Sequence, residues 1–279
     1  MTGDPAQFSV KLWGTRGSTP VSARDTVIYG GNTSCLEVTC GSERLLFDAG
    51  TGLQAFARAH PHDETTEEFD LFLSHTHLDH VCGLSYFAMH RPRGSVCRLW
   101  AGHMANEEAV QRVLETLMGP PIFPLRLKDM RVRFDIRMFR AGETLEPKRG
   151  IELRTAPLRH PDRATGYRAT FDGRSIAYVT DTEHVPGKLD ATILELIQGA
   201  DLFIYDCTFS DERFAPKIGW GHSTWQEGVR LADAAGVKTL VVFHHDPEAD
   251  DVAMDAVARA VAEARPGSVV ARDGMILTP

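Results

Sequence analysis

Three histidines and an aspartate lie within six residues of this chain, at His75-Thr76-His77-Leu78-Asp79-His80. The apolar segment Asp70–Leu73 precedes them and predicts a short strand that leads into the motif. Alternate residues of an extended backbone share a face, so His75 and His77 can point at one ion. Beyond them the chain turns, and Asp79 and His80 can point toward a second position nearby. Imidazole with carboxylate suits zinc, iron or manganese.

Four local ligands cannot close two metal sites, so the fold must bring further ligands to this motif. The candidates stand where apolar strands end. His160 follows the predicted strand Ile151–Ala156, and Asp181 follows Ile176–Val179. Either His244 or His245 can be the ligand that follows the predicted strand Leu240–Phe243, and spacing alone leaves that choice open.

Runs of strands with interspersed helices occur in both halves of the chain. This pattern predicts sheets packed together and covered by helices. Predicted strands are Phe8–Trp13, a hairpin of Ser34–Thr39 with Arg44–Phe47, Val132–Ile136, Gly166–Phe171 paired with Ser175–Val179, Leu202–Tyr205, and a final pair near Val269 and Met275. Predicted helices are Leu53–Ala59, Cys82–His90, Ala105–Leu117, Ala191–Ile197, Trp225–Ala235 and Val252–Ala264. Without repeats or linkers, residues 1–279 are predicted to form a single domain.

Composition restricts the partners of the protein. The formal net charge of -8 disfavours a large polyanion. One basic run is interpreted as a strand with basic residues on its wet face: Arg126, Lys128, Arg131, Arg133, Arg137 and Arg140. Five cysteines without a Cys-x-x-Cys pair argue against a disulfide framework and a four-thiolate zinc site. Met1–Phe8 lacks the pattern of a signal peptide, and no apolar run spans a bilayer, so we expect a cytoplasmic protein without membrane contact.

The motif His-x-His-x-Asp-His resembles the hallmark of the metallo-β-lactamase superfamily. The likeness extends over nearly the whole chain, and several segments are most similar to the phosphodiesterase branch, which includes ribonuclease Z. The supporting segments are Gly14–Ser18, Asn32–Ser34, Phe47–Gly50, Thr180–Thr182, Tyr205–Phe209, Gly221–Thr224 and Phe243–Pro247. The resemblance implies an α/β protein with a four-layer αβ/βα sandwich and the metals at one edge of the sheets.

The resemblance also implies a role for each candidate ligand. His75, His77 and His160 would hold one divalent ion, and Asp79, His80 and His244 would hold the other. Asp181 would bridge the two. His244 is preferred to His245 because it directly follows the strand and matches the family's last histidine. Zinc is the expected metal, with manganese or iron as alternatives, and the two ions need not be the same.

Two such ions would share a hydroxide that attacks the substrate. Asp79 would orient this nucleophile and accept its proton. By the same resemblance, His222 would protonate the leaving group or clamp a phosphate, and Asp206 could hydrogen-bond its imidazole. Asp48 is interpreted as a support for a ligand histidine, whereas His103 shows no partner pattern.

A dinuclear hydrolase of this kind admits several substrates. The favoured one is a small phosphodiester similar to a cyclic nucleotide, with RNA as an alternative. Ribonuclease Z usually carries a protruding arm that grips RNA, and only the short stretch Met118–Pro124 could stand in its place. Glyoxalase II-like thioester hydrolysis, lactam hydrolysis and a non-catalytic metal-binding sensor are the other hypotheses. A homodimer is compatible with the sequence.

Overall fold

A computed structural model describes residues 8–62 and 64–279, so most of the segment used to argue against a signal peptide lies outside it. Within these residues the strands are β1 Phe8–Gly14, β2 Cys35–Cys40, β3 Glu43–Phe47, β4 Glu68–Leu73, β5 Val96–Ala101, β6 Arg133–Met138, β7 Thr144–Lys148, β8 Ile151–Leu158, β9 Ala164–Phe171, β10 Arg174–Val179, β11 Leu202–Asp206, β12 Thr239–Phe243, β13 Val269–Val270 and β14 Ile276–Leu277. The helices are α1 Gly52–Ala59, α2 Leu84–His90, α3 Glu107–Leu117, α4 Ala191–Ile197, α5 Asp211–Phe214, α6 Trp225–Ala234 and α7 Asp251–Ala264.

These strands form two seven-stranded mixed sheets. The first has the order β14-β1-β2-β3-β4-β5-β6, and β3 to β6 run parallel to one another. The second has the order β13-β12-β11-β10-β9-β8-β7, and β10 to β13 are parallel. Parallel strands end at the same edge of a sheet, so each sheet gathers the residues that follow its parallel strands.

Three apolar cores separate four layers. The sheets pack face to face through aromatic side chains such as Phe47, Phe72 and Tyr167. A second core around Leu53 and Leu114 lies between the first sheet and its helices α1, α2 and α3, and a third lies between the second sheet and α4, α6 and α7. This arrangement confirms the predicted four-layer αβ/βα sandwich.

Local sequence explains where the helices begin. The side chain of Asn106 accepts a hydrogen bond from the Ala109 amide at the start of α3, and Asp250 accepts one from Ala253 at the start of α7. Thr224 caps α6 in the same way. The start of this helix therefore fixes the position of the chain just after His222.

The last two strands correct one sequence expectation. They do not pair with each other: β13 lies parallel to β12 in the second sheet, whereas β14 pairs antiparallel with β1 in the first. Short apolar runs identify strands but not their partners, because pairing is decided by the packing of distant segments. The strands β5 and β7 were not predicted.

Two further expectations concern composition. All five cysteines are free thiols. Across residues 8–62 and 64–279, the helices are too short or too polar to cross a bilayer.

Candidate metal centre

The candidate ligands lie at the edges where parallel strands end. In the first sheet, Asp48 follows β3 and the motif His75–His80 follows β4. In the second sheet, Asp181 comes after β10, Asp206 ends β11, and His244 comes directly after β12. Because the sheets pack face to face, these two edges meet, and residues more than 160 positions apart in the chain come into contact.

One group of possible ligands consists of His75, His77 and His160, whose nearest donor atoms all lie within 4.8 Å of one another. The Nε2 atom of His160 is 3.0 Å from Nδ1 of His77. His160 is turned into this position because its Nδ1–H donates to the carbonyl of Gly221 at 2.8 Å. Three imidazole nitrogens thus converge beside the motif.

A second group consists of Asp79, His80, Asp181 and His244, all of them buried. The Nε2 atom of His80 lies 3.2 Å from Oδ2 of Asp79 and 3.2 Å from Oδ2 of Asp181. The corresponding distances from Nε2 of His244 are 3.4 and 3.3 Å. Ligands placed tetrahedrally at about 2.0–2.1 Å from an ion are about 3.4 Å apart, so the spacing fits one ion.

Asp181 stands between the two groups. Its Oδ2 faces His80 and His244, while Oδ1 lies 3.8 Å from Nε2 of His75 in the first group. Asp181 and His244 both adopt the left-handed backbone conformation, with φ of 52° and 61°. That conformation is unfavourable for residues other than glycine and is concentrated at functional sites.

Hydrogen bonds on the outer side of the rings orient the histidines from the first sheet. The buried carboxylate of Asp48 accepts from Nδ1–H of His80 at 2.9 Å and from the hydroxyls of Ser74 and Tyr178. Since Ser74 donates to Asp48, its oxygen accepts from Nδ1–H of His75 at 3.0 Å. Both histidines therefore direct Nε2 toward the centre.

The second sheet repeats this arrangement with Asp206. Its Oδ2 accepts from Nδ1 of His222 at 3.0 Å, and its Oδ1 accepts from the hydroxyl of Thr208 at 2.7 Å. The Thr208 oxygen is 3.0 Å from Nδ1 of His244 and can accept a hydrogen bond from its N–H. One buried carboxylate in each sheet thus binds one histidine directly and a second through a hydroxyl.

The inner nitrogens of the buried rings have no hydrogen-bond partner among the residues that the structure describes. This holds for Nε2 of His75, His80 and His244. A buried polar atom without a partner is costly, and coordination of a cation by these nitrogens would remove that cost. These imidazole nitrogens lie next to carboxylates, and the spacing of the atoms is close to that of a tetrahedron. Such a set of ligand atoms fits a divalent ion of the zinc, manganese or iron type.

The charges around the centre perturb several pKa values. Burial lowers the pKa of His75 well below its usual range, and burial also lowers that of His160, so both rings are neutral. Burial has the same tendency at His80 and His222, but the surrounding carboxylates outweigh it. They raise the pKa of His80 well above its usual value and that of His222 to about 9. A bound cation would replace the proton on His80.

The structure distinguishes His244 from His245, between which the spacing of the sequence did not decide. His244 points into the second group, whereas Nε2 of its neighbour His245 is 2.8 Å from the carbonyl of Ala271. His222 and Asp206 lie beside the centre, since Nδ1 of His222 is 3.6 Å from Oδ1 of Asp181.

Sequence reasoning identified Asp48 and Asp206 as supports for histidines but missed other residues that orient these groups. Thr208 and Tyr178 are examples, and Ser18 donates its backbone N–H to Oδ2 of Asp79 at 2.8 Å. Buried Glu183 accepts from the amides of Gly219 and Gly221, next to His222. No local signal marks such residues, because their partners are distant in the chain.

Several solved structures share this fold. Zn(2+)-bound PqqB from Methylobacterium extorquens superimposes with a TM-score of 0.73 at 19% identity, covering 97% of this chain and all of the other. A diphosphatase from the PhnP family gives 0.69 at 19% identity over 98% of each chain. The short form of human tRNase Z gives 0.66 at 19% identity over 97% and 98%.

Curated relatives of similar length are named ribonuclease Z. The protein from Haloarcula marismortui is 24% identical over an alignment of 326 positions, which covers 95% of each chain. The one from Bradyrhizobium sp. is 27% identical, covering 91% of this chain and 95% of its own. The family model described as "Beta-lactamase superfamily domain" matches residues 43–245, which include the motif and every candidate ligand. This chain therefore belongs to the beta-lactamase superfamily, with the fold of its metal-dependent members.

Proposed function

We propose that the protein is a metal-dependent phosphodiester hydrolase with two divalent ions. One observation carries the proposal: Asp181 lies between two groups of possible metal ligands, and the His222–Asp206 pair stands beside it. Paired ions with a nearby proton donor suit the displacement of an alkoxide from phosphorus. The assigned ligands are His75, His77 and His160 in one group, Asp79, His80 and His244 in the other, and Asp181 between them.

The ions would supply a nucleophile at neutral pH and neutralise the charge that develops on the phosphoryl oxygens. The protein side chains fix the geometry. Asp79 is held by the amide of Ser18 and is placed to orient the attacking water and accept its proton. Zinc is the proposed metal, and manganese or iron would fit the same donors.

His222 supplies the proton that the leaving oxygen needs. Its Nδ1–H donates to Asp206, which leaves Nε2 available to a substrate. The ring is charged at neutral pH because Asp206 and Asp181 raise its pKa to about 9 against the effect of burial. General-acid catalysis of this kind contributes roughly 100-fold or more to the rate.

The favoured substrate is a small phosphodiester of the cyclic-nucleotide type. The net charge of -8 disfavours a long polyanion. The alignment with the Haloarcula marismortui relative spans 326 positions, more than the 279 residues of this chain, so that relative contains segments without a counterpart here. RNA is the second candidate, because the curated relatives are named ribonuclease Z.

A substrate panel with the metal-loaded protein tests the proposal. Bis-p-nitrophenyl phosphate, 2′,3′-cyclic nucleotides and an RNA oligonucleotide represent phosphodiesters, and a thioester and nitrocefin represent the other hydrolase classes. We expect turnover of the phosphodiesters only. Turnover confined to the thioester or nitrocefin would overturn the proposal, and metal binding without turnover of any substrate would favour a sensor.

Two variants separate binding from catalysis. His77→Ala should lose metal and activity together, because it removes a ligand of the three-histidine group. His222→Ala should retain both ions and slow phosphodiester cleavage about 100-fold. His90→Ala is a matched control, since the ring of this histidine at the end of α2 binds the Tyr86 carbonyl in the same helix. Full activity in either site variant would refute the role assigned to that residue.

We also infer that residues 1–279 behave as one domain. The two sheets share a core, and the proposed ligands come from both of them. A single calorimetric unfolding transition is expected, and two independent transitions would contradict it.

A further inference from the structure

The strand β6 forms an open edge of the first sheet. It is the last strand of that sheet, and among the residues that the structure describes only β5 pairs with it. The amide of Arg133 donates to the carbonyl of Ser95, and in a parallel pair alternate residues turn their backbone groups toward the partner strand. The amides and carbonyls of Phe134, Ile136 and Met138 therefore point away from β5, where another strand could bind them.

The side chains of β6 form two rows, one on each face of the sheet. Phe134, Ile136 and Met138 lie on the face toward the helices and are only partly buried against the core there. Asp135 and Arg137 lie side by side on the other face, 2.6 Å apart, with side chains that are 28% and 51% exposed. The edge thus combines a half-exposed apolar row with a row that carries opposite charges.

The other edge strand on this side of the molecule is protected against pairing. It is β7, the last strand of the second sheet. Proline, charges and irregular register protect an edge, and β7 contains Glu146 and Pro147 and is irregular between Leu145 and Lys148. In contrast, β6 has no proline and pairs with β5 in a continuous register. Of the two edges, β6 is the one suited to bind a further strand.

We propose that β6 pairs antiparallel with β6 of a second copy of this chain, about a twofold axis at Ile136. The first sheets of the two copies would form one continuous sheet. A twofold axis requires a surface that is complementary to itself, and β6 meets this requirement. The inference concerns assembly and does not depend on the reaction at the metal centre.

Backbone direction and charge together select this register. Residues with outward amides must lie opposite one another, so Ile136 can face Phe134, Ile136 or Met138 of the second copy. If Ile136 faced Phe134, Asp135 would face Asp135. If Ile136 faced Met138, Arg137 would face Arg137. Two copies of Ile136 facing each other instead place Asp135 opposite Arg137, and the symmetry forms this ion pair twice.

A register shifted further would lose these contacts. An axis at Phe134 would place Ile136 opposite Val132, whose amide already donates to the carbonyl of Ala88. The same shift would place Arg137 opposite Arg131, which brings like charges together. An axis at Met138 would leave most of β6 unpaired, because the strand ends there.

Both faces of the joined sheet are complementary in the proposed register. On the helix side, Ile136 packs against Ile136 of the second copy and Phe134 packs against Met138. These residues form the hydrogen-bonded pairs, in which each pair exchanges both of its N–H···O bonds. Asp135 and Arg137 form the non-hydrogen-bonded pairs, whose Cα atoms are closer, at about 4.5 Å. Short range favours the two ion pairs.

Sedimentation equilibrium of the metal-loaded full chain tests the proposal. We expect a dimer at tens of micromolar. Hydrogen exchange adds a readout for single residues: the amides of Phe134, Ile136 and Met138 should become protected as the concentration rises through the dissociation constant. The amides of Asp135 and Arg137 should not change, because they already face β5.

Charge reversal identifies the pairing. Asp135→Arg and Arg137→Asp each place like charges opposite one another, so each variant alone should dimerise at least about tenfold more weakly. An equimolar mixture of the two variants should form a heterodimer, because each chain then faces opposite charges. Ile136→Pro removes an outward amide, is tolerated at an edge, and should also weaken the dimer if a charge variant does not fold. Arg259→Asp is the matched control, since this exposed residue lies on α7 against the second sheet.

A wild-type protein that remains monomeric at several hundred micromolar would overturn the proposal and leave the edge to a different partner. A dimer that is unaffected by both charge reversals and by Ile136→Pro would show that another surface is used. Failure of two folded charge variants to form a heterodimer would refute the pairing of Asp135 with Arg137.

Discussion

Replacing Asp48 by asparagine should weaken metal binding although Asp48 is not itself a proposed ligand. Among the residues that the structure describes, the carboxylate accepts hydrogen bonds from the amide and hydroxyl of Ser74, the hydroxyl of Tyr178 and Nδ1–H of His80. An asparagine places an NH₂ group against one of these donors. His80 can avoid this conflict by moving its proton to Nε2, the atom that faces the centre.

The expected loss follows from the number of histidines affected. His80 is held directly by Asp48, and His75 is held through Ser74, so both groups of ligands are disturbed. Loss of such a support typically lowers metal affinity about 10- to 100-fold. Each factor of ten corresponds to about 1.4 kcal/mol, so we expect a loss of about 1.4–2.8 kcal/mol of binding free energy.

Competition with a chromophoric chelator would measure the zinc affinity of Asp48→Asn, and nitrogen NMR of the histidine rings would report the tautomer of His80. Tyr178→Phe removes one hydrogen bond to the same carboxylate and should have a smaller effect. Asp201→Asn is a matched control, because that buried aspartate accepts from the Ser175 amide and binds Lys238 rather than a histidine. A folded Asp48→Asn protein with wild-type zinc affinity would refute the reasoning.

Three other predictions concern the surroundings of the centre. Glu183→Ala should lower metal affinity by up to about tenfold, because Glu183 holds the loop whose Gly221 carbonyl orients His160; unchanged affinity, as expected for the exposed Glu195→Ala, would contradict this. Gly17→Ala should reduce metal content in a folded protein, because its Cβ would lie 2.3 Å from the ring of His244; full metal occupancy would count against the placement of His244. Burial opposes protonation of His222, but its carboxylate neighbours raise its pKa to about 9, so kcat should fall as the pH rises through that value and the acid form is lost. In Asp206→Asn this fall should move to lower pH, and an unchanged pH profile would exclude His222 as the acid.

Much of the fold was predictable because it is encoded locally. The apolar run before His75 and the helical pattern of Ala191–Ile197 depend on neighbouring residues, and the structure has a strand and a helix there. Superfamily membership was also predictable, since the motif His75–His80 is contiguous. The strands β5 and β7 were overlooked.

The sequence by itself determined that imidazoles and carboxylates would follow apolar strands, because strand formation and residue spacing are local properties. Only the tertiary structure decided that His244 rather than its neighbour faces the centre, that β13 and β14 join different sheets, and that Asp48 and Asp206 each hold two histidines. These features depend on how two sheet edges meet, and that arrangement is set by packing between residues far apart in the chain.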